Sequence, residues 1–172
     1  LGHRETQSPR SINLPHLLEM VMSLTLVSQN KSFGGWHKQF SHTSSALKCT
    51  MRFAIYLPPQ AETQSLPGVY WLSGLTCTDE NFMQKAGAHR IAAELGLIIV
   101  APDTSPRGES VPDDPEGKYD LGLGAGFYLN ARQNPWAEHY QMETYITEEL
   151  PDLINQNFAT TGKAAISGHS MG

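Results

Sequence analysis

Gly168-His169-Ser170-Met171-Gly172 closes the sequence and carries its clearest chemical signal. It fits G-x-S-x-G, the sharp strand-to-helix turn that exposes the nucleophile of serine hydrolases. A serine hydroxyl is a weak nucleophile until a base takes its proton, so the pattern implies acyl transfer assisted by a histidine and an orienting acid. The turn strains the serine backbone, and the residues two places to either side must be small for the chain to pass. Gly168 and Gly172 meet that need. A developing oxyanion needs two backbone N–H groups. One comes from the residue after the nucleophile, Met171, and the other from a loop after an earlier central strand, here near Leu75 in Ser73-Gly74-Leu75-Thr76-Cys77. A plain strand-to-helix turn accounts for Gly74-Leu75 equally well. In this fold the acid and the histidine follow the serine in chain order, so neither is expected within these 172 residues.

The remaining reactive side chains support other roles. His169 adjoins the serine, and neighbouring side chains point apart. His37, His42, His89 and His139 precede the nucleophile, against the chain order, and read as surface or supporting residues. Cys77 is either a small buried hydrophobe or a thiol close to the substrate. Asp113, Asp114 and Glu116 fit no metal loop and read as a solvated turn. Phe127, Tyr128 and Trp136 are core or pocket wall, and their spacing does not separate the two.

The elements that must position these residues follow from periodicity. Residues 23–27 and 35–45 read as β segments joined at Gly34-Gly35. Met51, Phe53, Ile55 and Leu57 alternate with Arg52, Ala54 and Tyr56, a strand ended by Pro58-Pro59. Val69-Tyr70-Trp71-Leu72 and Leu97-Ile98-Ile99-Val100-Ala101 read as short buried strands. Between them Ala88, Ile91, Ala92 and Leu95 mark a helix capped by Gly96. Residues 104–136, rich in Gly, Pro and Asp, are too long for an ordinary connection and read as a functional excursion. Met142, Tyr145, Ile146, Leu150, Leu153, Ile154 and Phe158 mark one helix face, which Pro151 should kink or break. Lys163-Ala164-Ala165-Ile166 then reads as a buried parallel strand feeding the serine turn. Opening strands followed by alternating strand and helix give an α/β class: antiparallel strands, then a parallel sheet with crossover helices, truncated after the nucleophile strand. Sites in such sheets lie beyond the carboxyl ends of the strands, where residues 73–77 and Ser170 both fall.

Composition narrows the function. The chain is 40% hydrophobic and 17% charged, which fits a globular domain rather than a disordered one. A net charge of -5 argues against nucleic acid or an anionic membrane as partner. No apolar run is long enough to cross a bilayer. Two cysteines make no disulfide framework, and a reducing cytosol is the simpler setting. Residues 1–21 read as an extension without order, of fragment or alternative-start origin, with a targeting segment as the alternative, and Met22 as the start; residues 22–172 read as an incomplete catalytic domain.

Taken in order, Phe33-Gly34-Gly35-Trp36, Tyr70-Trp71-Leu72-Ser73-Gly74-Leu75-Thr76-Cys77-Thr78, Glu80-Asn81-Phe82, Ala101-Pro102-Asp103-Thr104-Ser105-Pro106-Arg107-Gly108, Gly124-Ala125-Gly126-Phe127-Tyr128, Glu148-Glu149-Leu150-Pro151 and the final serine turn resemble the S-formylglutathione hydrolases of the esterase D family. The resemblance spans about residues 22–172. It implies an α/β-hydrolase fold and a cytoplasmic enzyme of formaldehyde detoxification that splits S-formylglutathione into formate and glutathione. It implies no cofactor or metal, and the complete protein could be a homo-oligomer. Carried over by position, Ser170 is the nucleophile, Leu75 and Met171 give the oxyanion N–H groups, and Cys77 lies beside the site without being the nucleophile. Such a protein continues for roughly another hundred residues that hold the acid and the histidine; the fragment alone is expected to be inactive. Arg107 and Lys85 are candidate cations for the glutathione carboxylates. A broad carboxylesterase on the same scaffold, or a truncated non-catalytic product, are the alternatives.

Overall fold

A computed structural model describes residues 23–172. The expected extension over residues 1–21 and the start at Met22 lie outside the described residues. The first hairpin joins β1 (Thr25–Ser32) to β2 (Gly35–Ser44). Its turn is Phe33-Gly34 rather than Gly34-Gly35. Both turn residues have positive φ, 45° and 77°, the pairing that matches the twist of a two-residue hairpin. Gly35 opens β2 instead, where a Cβ would overlap the Leu57 carbonyl oxygen.

β3 (Cys49–Leu57) shows the expected period of two, yet both of its faces are covered. Met51, Phe53 and Ile55 belong to one buried cluster, and Ala54 and Tyr56 to another. β4 (Leu66–Leu72), β5 (Ile98–Pro102) and β6 (Thr160–Gly168) complete a six-stranded sheet of order β1-β2-β3-β5-β4-β6. β1, β2, β3 and β5 pair antiparallel, whereas β4 runs parallel to both β5 and β6. Tyr70 of β4 faces Val100 on one side and Ile166 on the other. The fold is therefore the expected α/β arrangement, antiparallel strands leading into a parallel sheet.

Helices cover both faces of the sheet at its centre. Between β4 and β5 there are two helices where one was expected, α1 (Glu80–Lys85) and α2 (His89–Leu95). Gly87, at φ 65°, turns the chain between them, and Gly96, at φ 67°, caps the second in the left-handed region. Met83 and Ala92 seat this pair on Ala54, Tyr56, Ile99 and Ala101. The other face takes α3 (Met142–Thr144), a π turn over Tyr145–Glu149, and α4 (Leu150–Asn157). The break expected at Pro151 takes the form of that π turn. Proline cannot donate to the preceding turn and crowds the carbonyl four residues back; one extra residue in the turn makes room.

Residues 104–135 hold no strand or helix, as the composition implied, but they are tied down. Tyr140 Oη donates to the Pro112 carbonyl at 2.7 Å, and the Ala131 N–H to the Tyr140 carbonyl at 2.8 Å. The acidic run is the expected turn: Asp113 Oδ1 accepts the N–H groups of Asp114 and Leu123, and Asp114 Oδ2 that of Lys118. β6 departs from expectation. It is parallel, but every residue after Thr160 is exposed: α4 touches the strand, with Thr160 Oγ1 donating to Asn155 Oδ1 at 2.6 Å, without covering it.

Candidate active site

The strands β4 and β6 end side by side, and each feeds one half of the site. Leu72, the last residue of β4, pairs with Gly168, the last of β6. The His169 N–H then donates to the Leu72 carbonyl at 3.1 Å, and the Gly172 N–H closes a tight turn on the His169 carbonyl at 3.1 Å. Ser170, at the apex of this turn, has φ 59°, a left-handed conformation that costs a residue with a Cβ about 1–2 kcal/mol. Both flanking glycines are obligatory for a steric reason. A Cβ on Gly168 would overlap Gly172, and one on Gly172 would overlap the Leu72 carbonyl. The serine side chain is left exposed.

The β4 side contributes the loop Ser73–Cys77. Gly74 abuts the serine: a Cβ there would stand 3.1 Å from Ser170 Cβ, 3.2 Å from the His169 carbonyl oxygen and 3.6 Å from Ser170 Oγ. A side chain there would force the two backbones apart by a few tenths of an ångström. Thr76, at φ 65°, reverses the chain after Leu75. Among the described residues the N–H groups of Leu75 and Met171 donate to no protein acceptor, and no side chain hydrogen-bonds the Ser170 hydroxyl. The loop and the turn thus present two unengaged amide donors beside an exposed hydroxyl, the set that acyl transfer requires. Cys77 is half-buried, and its own N–H donates to the Gly74 carbonyl at 3.2 Å.

Of the two readings for the described histidines ahead of the serine, supporting rather than surface is the one the structure bears out. His37, His42, His89 and His139 are all buried. His37 Nε2 meets Glu80 Oε1 at 3.1 Å and holds that carboxyl below its usual range. His89 stacks on Tyr56 at 4.4 Å and bonds Ser32 Oγ, while His42 stacks on Tyr145 and bonds its hydroxyl at 3.0 Å. Burial lowers the pKa of both His42 and His89. His139 is engaged with the Leu47 carbonyl at 2.8 Å. Each is held in the core by its own partner, so none is free to serve Ser170. His169 is exposed, and its backbone supports the turn.

Arg107, a candidate cation for an anionic substrate, is committed elsewhere. Its Nε contacts both Asp103 carboxylate oxygens at 3.0 and 2.9 Å, and its Nη2 donates to the Cys77 carbonyl at 3.1 Å. Lys85 stays exposed at the end of α1. Behind the loop, Thr78, Asp79, Asp103, Arg52 and Arg107 line a cavity of about 520 Å³. Burial pushes the Asp79 carboxyl up to about 6, against the opposing hydrogen bond from Gln39 at 2.7 Å. Among the described residues no cluster of His, Cys, Asp or Glu is placed to hold a metal ion, and no helix is long and apolar enough to cross a membrane.

Sequence reasoning left Tyr128 undecided between core and pocket wall. The structure puts its hydroxyl on the Ser73 carbonyl at 2.8 Å. The available signal was Gly124-Ala125-Gly126 just before it, since glycines so placed mark a close backbone approach.

The Esterase family profile matches residues 44–172, most of the chain. The chain belongs to the Esterase family. Among solved structures, an S-formylglutathione hydrolase from Agrobacterium tumefaciens shares 53% identity at a TM-score of 0.83, over 85% of this chain and 53% of that one. The resemblance read from the motifs is thereby met. A ferulic acid esterase from Anaeromyces mucronatus matches at 17% identity and a TM-score of 0.59, covering 83% of this chain and 52% of its own. The fluorophosphonate-binding serine hydrolase FphF of Staphylococcus aureus matches at 18% and 0.56, over 80% and 48%. The latter two share the fold. The chain spans about half the length of these Esterase-fold structures.

Proposed function

We propose that the protein is a serine thioester hydrolase that converts S-formylglutathione to formate and glutathione in cytoplasmic formaldehyde detoxification. The observation that supports this best is the 53% identity to an S-formylglutathione hydrolase across 85% of the chain. Ser170 Oγ attacks the formyl carbonyl as a histidine takes its proton. The Leu75 and Met171 N–H groups receive the oxyanion, glutathione leaves as a thiol, and water releases formate from the acyl-serine. On this reading the acid and the histidine follow Ser170 in chain order and are not among residues 1–172, so these residues alone are inactive. Cys77 lies near the acyl group without bonding to it, and no metal or cofactor takes part.

The test is Ser170→Ala in the full-length protein, meaning this chain continued to the length of the hydrolases it matches. Turnover of S-formylglutathione should fall on the order of 10⁴-fold with the fold intact. Near-normal turnover would remove Ser170 from the mechanism. Comparing thioester with aryl-ester hydrolysis on the unaltered protein separates a dedicated thioesterase from a broad carboxylesterase.

A further inference from the structure

The loop Ser73–Cys77 has no regular structure, so each of its backbone polar groups must find a partner elsewhere. The Gly74 carbonyl is taken within the loop by the Cys77 N–H. Three more are met by residues of the excursion. The Ser73 carbonyl accepts from Tyr128 Oη at 2.8 Å. The Thr76 N–H donates to the Gly124 carbonyl at 2.9 Å. The Cys77 carbonyl accepts from Thr104 Oγ1 at 2.5 Å and from Arg107 Nη2 at 3.1 Å. The Leu75 N–H lies between these anchors in the chain and has no protein acceptor among the described residues.

The segment that supplies two of these anchors is bent to do so. Gly124 has φ 79°, and a Cβ on it would stand 3.1 Å from Thr76 Cα. Phe127 and Tyr128 are consecutive non-glycine residues at φ 51° and 50°, a conformation that side chains with a Cβ disfavour. The bend carries the Tyr128 ring onto the edge of the core and its hydroxyl onto the Ser73 carbonyl. Phenylalanine would fill the same space, so packing does not account for the hydroxyl.

We propose that Tyr128 is a positioning residue for the oxyanion donor: its hydroxyl fixes the Ser73 carbonyl and so holds the Leu75 N–H at the height of Ser170. This rests on the reading of Leu75 as an oxyanion donor. A donor fixed in advance need not reorganise during reaction, and that is where its value for catalysis lies. Burial raises the pKa of the Tyr128 phenol, so the hydroxyl stays a donor throughout the neutral range.

Tyr128→Phe in the full-length protein tests this. The kcat for S-formylglutathione should fall about tenfold, the equivalent of one hydrogen bond, while KM stays within about twofold. The thermal midpoint should change little, because the ring remains. An unchanged kcat overturns the proposal. So does a loss confined to KM, which would make Tyr128 a substrate contact. If Tyr128→Phe does not fold, Thr104→Val removes the hydroxyl at the other end of the loop and should lower kcat in the same way; an unaffected kcat there also overturns it. Ser170→Ala is run alongside. Turnover that survives Ser170→Ala sinks the hydrolase reading itself, whereas an inactive Ser170→Ala with an unimpaired Tyr128→Phe sinks the positioning role alone.

Discussion

Gly74→Ala isolates the closeness of the two halves of the site. The new methyl would begin 3.1 Å from Ser170 Cβ and 3.2 Å from the His169 carbonyl oxygen. Carbon atoms rest at roughly 3.5–4.0 Å, so the loop or the serine turn must give by a few tenths of an ångström. A misplacement of ~1 Å at a reacting centre costs about 10²-fold, and losing one oxyanion donor outright about 10²–10³-fold. A partial withdrawal that carries the Leu75 N–H with it should therefore lower kcat by roughly 10–100-fold. Stability should move far less, since the methyl lowers the entropy of the unfolded chain by about 0.4–1 kcal/mol, which offsets part of the crowding. Gly68→Ala is the internal control. It lies in the same strand-and-loop unit, and its Cβ would meet nothing closer than 3.9 Å, the Tyr70 ring. Steady-state thioester hydrolysis by the two full-length variants decides the matter. A Gly74→Ala enzyme within twofold of the unaltered protein, or one no slower than Gly68→Ala, would refute the idea that this contact sets the geometry.

Two further predictions concern the chemistry around the loop. Cys77 supports the loop through its backbone N–H and carbonyl, so Cys77→Ala should keep substantial turnover and lose sensitivity to bulky thiol reagents; a folded but inactive variant would contradict this. Asp79 should make stability depend on pH. Its folded-state pKa of about 6 lies above the ordinary carboxylate value, so between about pH 4 and 6 the folded protein keeps a proton that the unfolded chain has released. Stability from this group falls as pH rises through that window and stays lower above it. Asp79→Asn should thus gain on the unaltered protein between pH 4.5 and 7.5, by at most about 3 kcal/mol in denaturant unfolding. An equal difference at both pH values would exclude the effect.

What the sequence disclosed and what it hid divide along the range of the interactions involved. The serine turn is legible because its constraint is local: Gly168 and Gly172 exclude a Cβ within the turn itself and against the adjoining end of β4. The alternation in β3 is legible for the same reason, although a single strand does not say that both faces will be covered. The hairpin turn shifted by one residue because strand twist, not composition, chose Phe33 for a positive φ. Which of the two readings, surface or supporting, applies to the histidines is not legible because their partners lie far along the chain; His42 meets Tyr145 across 103 residues. Tyr128 was undecidable on like grounds, its hydroxyl reaching a carbonyl 55 residues away. β6 reads as buried from its apolar residues, but burial belongs to whatever packs on a strand, and α4 leaves every residue after Thr160 exposed.

The strand order also sets a timetable for synthesis. β4 ends at Leu72, and its partner on one side, β5, ends soon after at Pro102. The strand that pairs its other edge, β6, begins only at Thr160. At ~5–20 residues per second the ribosome needs roughly 4–18 seconds to cover the roughly ninety residues between. Throughout that interval the backbone donors and acceptors along Leu66–Leu72 stand open beside an apolar strand, a template for wrong pairing. The residues made meanwhile include the excursion that pins Ser73–Cys77. The nascent protein therefore completes the wall of its site before the serine is made, and carries an open strand edge until it acquires its nucleophile.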